Sequence, residues 1–177
     1  KRHVDIQTHG TYDALMALAP TLAGTPRWFS VTGFSGPSNQ KIIVPWTLVY
    51  SADDVVAFAL SFLGFKVEEG SATFQAQALW HAINLFTDSR VIGVPNKVID
   101  FSTDTAPEPG ERVEDAINDA DSQGIIVNAI AVEAVDIDAV GRGGTSLGYG
   151  RSQSIVPDLE KRIATPRKGF VEVSGEG

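Results

Sequence analysis

The 177-residue sequence predicts a single α/β domain spanning residues 1–177, a doubly wound, mainly parallel sheet of about six strands with an antiparallel edge strand and helices on both faces. Three observations carry this. Short runs of β-branched and aromatic residues alternate with longer stretches whose apolar residues recur every three or four positions. The runs at 97–101 (Lys-Val-Ile-Asp-Phe) and 125–132 (Ile-Ile-Val-Asn-Ala-Ile-Ala-Val) have the texture of parallel strands buried on both faces. A turn cluster, Ser35-Gly36-Pro37-Ser38-Asn39, joins two other strand-like segments.

Taken in order, residues 12–22 read as a first helix, with Pro20 near its end. Residues 28–34 and 41–46 flank the turn cluster and form a hairpin, and Pro45, which cannot donate to a ladder, places its strand at an edge. Ser51-Ala52-Asp53-Asp54 caps a helix over 55–63. Gly70-Ser71-Ala72-Thr73 opens the next one, whose face carries Ala76, Leu79, Trp80, Ile83 and Phe86. Strand 97–101 follows, then a helix over 111–123 closed by Gly124 as its C-cap. Strand 125–132 comes next, and residues 170–173 supply a last strand.

Composition excludes several classes. Zero cysteine removes disulfides and thiolate metal sites, and a formal charge of -8 repels nucleic acid phosphates and anionic lipid, so no nucleic-acid partner is expected. The longest apolar stretches, such as 55–65, fall well short of the ~20 residues that cross a bilayer, so no membrane span is expected either. The chain opens Lys1-Arg2-His3, without Met and without an apolar leader behind it, which fits a product trimmed from a longer precursor.

Sheets of this kind bind ligands outside the carboxyl ends of their strands, which directs attention to the loops after residues 8, 69 and 101. Ser102-Thr103-Asp104-Thr105 and Gly70-Ser71-Ala72-Thr73 bring hard oxygens there, the donors that Mg²⁺ or Ca²⁺ prefers. The blocks at 29–36 (Phe-Ser-Val-Thr-Gly-Phe-Ser-Gly), 43–49, 70–79, 97–104, 124–132 and 169–173 together resemble a largely uncharacterised bacterial branch of the von Willebrand factor type A superfamily. The resemblance implies a doubly wound sheet, protein binding as the activity, and a metal-ion-dependent adhesion site. Within that site Thr73 matches the family's loop threonine and Asp104 its loop aspartate. Asp5 is the candidate for the aspartate that ends the first strand, but Gln7 and His9 stand where that motif has serines. Two bulkier groups in place of hydroxyls predict a weaker hold on Mg²⁺ or Ca²⁺ than a complete site has.

Other motifs have plainer readings. The glycine-rich stretch 141–150 lacks the Lys-Ser/Thr ending of a phosphate loop, and Gly33-Phe34-Ser35-Gly36-Pro37 lacks the final glycine of a nucleophile elbow. Glu133, Asp136 and Asp138 form an acidic cluster without the EF-hand pattern. His3, His9 and His81 have no metal-ligand spacing, and Trp28, Trp46 and Trp80 sit in apolar patterns as core residues. No nucleophile with its base and no acid–base pair can be assembled, so the chain is not expected to be an enzyme. A metal-dependent hydrolase using Asp104 and the carboxylates at 133–138 ranks last. The leading expectation is a protein-binding or adhesion domain of a secreted or periplasmic bacterial protein. The alternative is a self-assembling homo-oligomer subunit completed by a neighbouring chain, because Val4 and Ile6 are too few apolar residues to fill a central first strand.

Overall fold

The computed structural model of the chain describes residues 2–65, 74–133 and 171–175. In chain order the elements are α1 (Arg2–Leu22), β1 (Arg27–Phe34), β2 (Gln40–Val49), α2 (Ala52–Phe62), α3 (Gln75–Leu85), β3 (Lys97–Thr103), α4 (Val113–Ser122), β4 (Ile125–Glu133) and β5 (Val171–Gly175). β1 and β2 pair antiparallel, while β3, β4 and β5 run parallel in that order. The architecture is the expected α/β one, with helices on both faces. It departs from expectation in its pairing: the five described strands lie in two sheets rather than one.

The hairpin turns where the turn cluster placed it. Gly36 takes a φ of 72°, and Ser35 N–H donates to the Asn39 carbonyl at 3.0 Å. Opposite Ser30 the partner strand carries two residues, Pro45 and Trp46, because Phe29 pairs with Thr47 and Val31 with Val44. The missing N–H of Pro45 thus falls at a bulge on an edge strand, where no ladder bond is lost. A second irregularity follows between Val31 and Thr32.

α2 begins at the predicted cap. Ser51 Oγ accepts from Asp54 N–H at 3.1 Å, and the Asp54 carboxylate accepts from Ser51 N–H at 2.8 Å and from Tyr50 N–H at 3.1 Å. These donors hold the Asp54 carboxyl below its ordinary value, Ser51 N–H being the largest cause. Gly124, with φ 69°, turns the chain from α4 into β4 as a left-handed C-cap.

The expected strand around Asp5 is overturned: residues 2–22 form one helix, beginning ten residues ahead of the expected start at residue 12. Leu15, Ala19 and Leu22, at helical spacing, turn one face toward α2 and the hairpin, whereas no strand pairs this segment. Pro20 is accommodated because it lies in the last turn, near the end of the backbone ladder.

Two apolar cores result. One joins α1 and α2 to the hairpin through Ala19, Leu22, Val44, Val49, Val55, Phe58 and Phe62. The other joins α3 and α4 to β3 and β4 through Leu79, Ile83, Ile99, Phe101, Val113, Ile117, Ile125 and Val127. Trp28, Phe34 and Trp46 pack from the hairpin onto this second core, and Trp46 Nε1 donates to the Leu85 carbonyl at 2.9 Å. The hairpin therefore has one face in each core. Among the described residues no helix is long and apolar enough to cross a membrane.

Ser51→Ala removes one half of the α2 cap and is expected to lower stability by about 1 kcal/mol at pH 7, read from chemical denaturation. Asp54→Asn tests the other half. Because the folded-state pKa is depressed, its contribution is present above the ordinary value of 3.8 and fades as pH falls below it. The melting temperatures of the wild type and Asp54→Asn should converge below that pH.

Candidate functional site

The carboxyl end of β3 is built by two reciprocal side-chain clasps. α3 starts at Gln75 behind Phe74, whose side chain cannot cap the free N–H groups of the first turn. Glu111, from the loop after β3, supplies the cap instead: one carboxylate oxygen accepts from Ala76 N–H at 2.9 Å and the other from Glu108 N–H at 2.9 Å. In the opposite direction Gln75 reaches from the helix to the loop. Its Nε2 donates to the Thr105 carbonyl at 2.6 Å and to Thr103 Oγ1 at 3.3 Å.

Asp104 sits at the apex of this turn, half-buried, between the two threonines that Gln75 grips. Thr103 Oγ1 lies 3.2 Å from the Thr105 carbonyl and 3.4 Å from Thr105 N, which tightens the turn locally. Gln75 is fully buried, yet among the described residues its Oε1 finds no hydrogen-bond donor, and neither Thr105 Oγ1 nor Gln77 Oε1 finds a partner. Rotating the Gln75 amide would set its oxygen against the Thr105 carbonyl, which fixes the observed orientation. Beside the clasp lies a cavity of about 280 Å³ walled by Phe74, Trp80 and Pro109, with Gln77, Glu111 and Arg112 supplying polar groups.

Of the residues the sequence singled out, Asp104 occupies the expected place at the end of β3. Thr73 lies outside the described residues, as do Asp136, Asp138 and the 141–150 stretch. Asp5 stands in the first turns of α1, so residues 5–9 do not form a motif that ends a strand. Sequence reading missed Gln75 and Glu111. Gln75 was visible only as a polar residue one position ahead of an apolar helix face, and Glu111 as the first acid of the following helix.

The donors around Asp104 are oxygens, which suits a hard cation, but a single carboxylate provides the charge. Among the described residues no group of three or more His, Asp or Glu side chains converges as a metal site.

Comparison with known proteins places the fold. Residues 1–153 match the family described as Protein of unknown function (DUF1194). No match to a curated protein was found. Among solved structures, proximal thread matrix protein 1 from the mussel byssus is similar at a TM-score of 0.64 and 17% identity, over 94% of this chain and 37% of that one. The chain therefore spans little more than a third of that protein. The conserved hypothetical protein BatB from Bacteroides thetaiotaomicron is similar at a TM-score of 0.62 and 16% identity, over 96% of this chain and 80% of that one. Both neighbours have von Willebrand factor type A-like folds. A further structure of the mussel protein has a zinc-occupied metal-ion-dependent adhesion site motif, and is similar at a TM-score of 0.55 and 20% identity over 72% of this chain and 33% of that one.

Gln75→Leu keeps the volume and deletes the short bond to the Thr105 carbonyl, which then keeps only the longer one from Thr103 Oγ1 at 3.2 Å. It is expected to cost about 1–3 kcal/mol. Gln75→Glu should cost more, since it sets a carboxylate against that same carbonyl. Denaturant titration of the two variants checks the order.

Proposed function

This chain belongs to the DUF1194 family, and on that premise we propose that it is a protein-binding domain whose recognition surface is the carboxyl end of the sheet around Asp104. The observation that carries this reading is the buried polar cluster there. Among the described residues Gln75 Oε1 and Thr105 Oγ1 are withdrawn from water without partners, beside the turn that carries Asp104. A folded chain retains such groups at a cost of about 1–3 kcal/mol each, and that cost is offset if another molecule supplies the partner. The von Willebrand factor type A-like fold of the structural neighbours supports the same reading.

Asp104 and Thr73 are the proposed ligands of a divalent cation, with Mg²⁺ or Ca²⁺ favoured by the oxygen donors. Asp104 would supply the charge, and the cation would in turn present an open coordination position to a carboxylate of the partner. With one carboxylate the affinity should be low, in the ~10⁻⁴ to 10⁻³ M range seen for extracellular modules. The chain acts as a binder rather than an enzyme in this reading, and its setting is secreted or periplasmic.

Calorimetric titration of the 177-residue chain with Mg²⁺, Ca²⁺ and Zn²⁺ tests the ion site. Wild type should bind at least one of them weakly, and Asp104→Ala should abolish that heat. Affinity capture then compares wild type with Asp104→Ala as bait, each in magnesium and in chelator. Proteins retained only by wild type in magnesium support the reading. Identical retention by the two baits, together with no heat of ion binding, overturns it.

A further inference from the structure

α3 is fastened by side-chain bonds at both of its ends, each to a different part of the chain. At its start Gln75 Nε2 donates to the Thr105 carbonyl at 2.6 Å and Ala76 N–H donates to the Glu111 carboxylate at 2.9 Å, so the first turn is tied to the loop that carries Asp104. At its end the Leu85 carbonyl accepts from Trp46 Nε1 of β2 at 2.9 Å, a role that Trp46 shares with Asp88 N–H at 3.2 Å. The Trp46 and Phe86 rings lie 5.2 Å apart. Just beyond the helix Arg90 Nη1 donates to the Trp46 carbonyl at 3.2 Å. Trp46 is thus gripped at its ring and at its backbone by the segment that ends α3.

The stretch between these two ends is stiff. α3 has 11 residues, none of them Gly or Pro, and spans roughly 16 Å. Ala76, Leu79 and Ile83 are buried in the core that α3 shares with α4, β3 and β4. A helix packed in this way shifts as a body before it bends, because a close-packed interior transmits displacement. The receiving end is softer. Trp46 stands in the bulge opposite Ser30, where the pairing of β1 with β2 is locally interrupted, so its backbone can follow α3 at less cost than a residue held in a regular ladder.

We propose that α3 is a strut through which the state of the Asp104 turn is felt at the Trp46 bulge of the hairpin, and the reverse. The proposal rests on the protein-binding reading only in naming the Asp104 turn as the ligand surface; the coupling itself requires no ligand. Its functional content is regulation. Whatever tightens the Asp104 turn also steadies Gln75 and Glu111, and through them the helix and the hairpin, so contacts made by the hairpin depend on whether the turn is engaged. Linkage makes the effect reciprocal, and each end must respond to a change at the other.

Hydrogen exchange followed by NMR on the 177-residue chain in chelator tests this without any ion. The Trp46 indole N–H reports on the hairpin end, the Ala76 amide on the start of α3, and the amides of β4 on global opening. Gln75→Leu should speed exchange of the Trp46 indole roughly threefold or more beyond any change in the β4 amides. Trp46→Phe, which keeps a ring and deletes the indole N–H, should do the same to the Ala76 amide. Ser51→Ala, in the cap of α2 and outside the strut, should shift neither reporter relative to β4. Reporters that move only in step with the β4 amides, a selective response at one end alone, or a selective response to Ser51→Ala each overturn the proposal. A failure here is distinct from a failure of the ion titration, because no ion takes part.

Discussion

The apolar side chains of β1, β2, β3 and β4 are covered by helices, and that single constraint organises the molecule. A strand of this kind is stable only when a layer covers it from each side. Fully burying one Val, Leu, Ile or Phe side chain is worth about 1.5–3 kcal/mol, whereas an exposed ion pair contributes about 0–1. The Arg90–Asp88 pair illustrates the second case. It holds the Asp88 carboxyl down at about 2, through the Arg90 side-chain hydrogen bond above all, yet both partners remain in solvent. The helices are placed by the apolar cover, and the turn between α3 and β3 is merely trimmed by that pair. The polar exceptions inside the sheet are small: Asn128 Nδ2 donates to Asp100 Oδ1 at 2.8 Å, a cross-strand bond between registered neighbours.

Most of the fold was legible because most of it is locally encoded. The Ser51 cap, the Gly36 turn, the Gly124 C-cap and the continuous apolar run at 125–132 each state their element within a few residues, and each element stands where the pattern put it. The failure at residues 2–11 has a physical cause. A helix needs one apolar face, and only the family resemblance, with its aspartate at a strand end, points to a strand around Asp5. The segment's own polar residues and its continuity with Leu15, Ala19 and Leu22 fit a helix. The division into two sheets was also invisible, since pairing between strands far apart in sequence leaves no local signature.

The site was legible only in part, for a similar reason. Asp104 is fixed by the strand that precedes it, so reading the strand found the residue. Gln75 and Glu111 act across 30 and 35 positions of sequence, on the Thr105 carbonyl and Ala76 N–H. Neither has a motif, and each would pass for an ordinary polar residue at the start of a helix. What the structure adds is that the helix start and the loop are one unit: Glu111 caps the helix that carries Gln75, and Gln75 ties down the loop that leads to Glu111. Loss of either clasp therefore loosens the other.

The distribution of the indoles gives the molecule an optical asymmetry. All three tryptophans, Trp28, Trp46 and Trp80, pack against the core built by α3, α4, β3 and β4, and none packs in the core between α1, α2 and the hairpin. Intrinsic indole emission consequently reports on one half of the interior and is silent about the other. Far-ultraviolet dichroism, to which α1 and α2 contribute their full length, sees both. A difference between the two signals during denaturation would thus measure how far the halves melt as separate cooperative units, without any label being introduced.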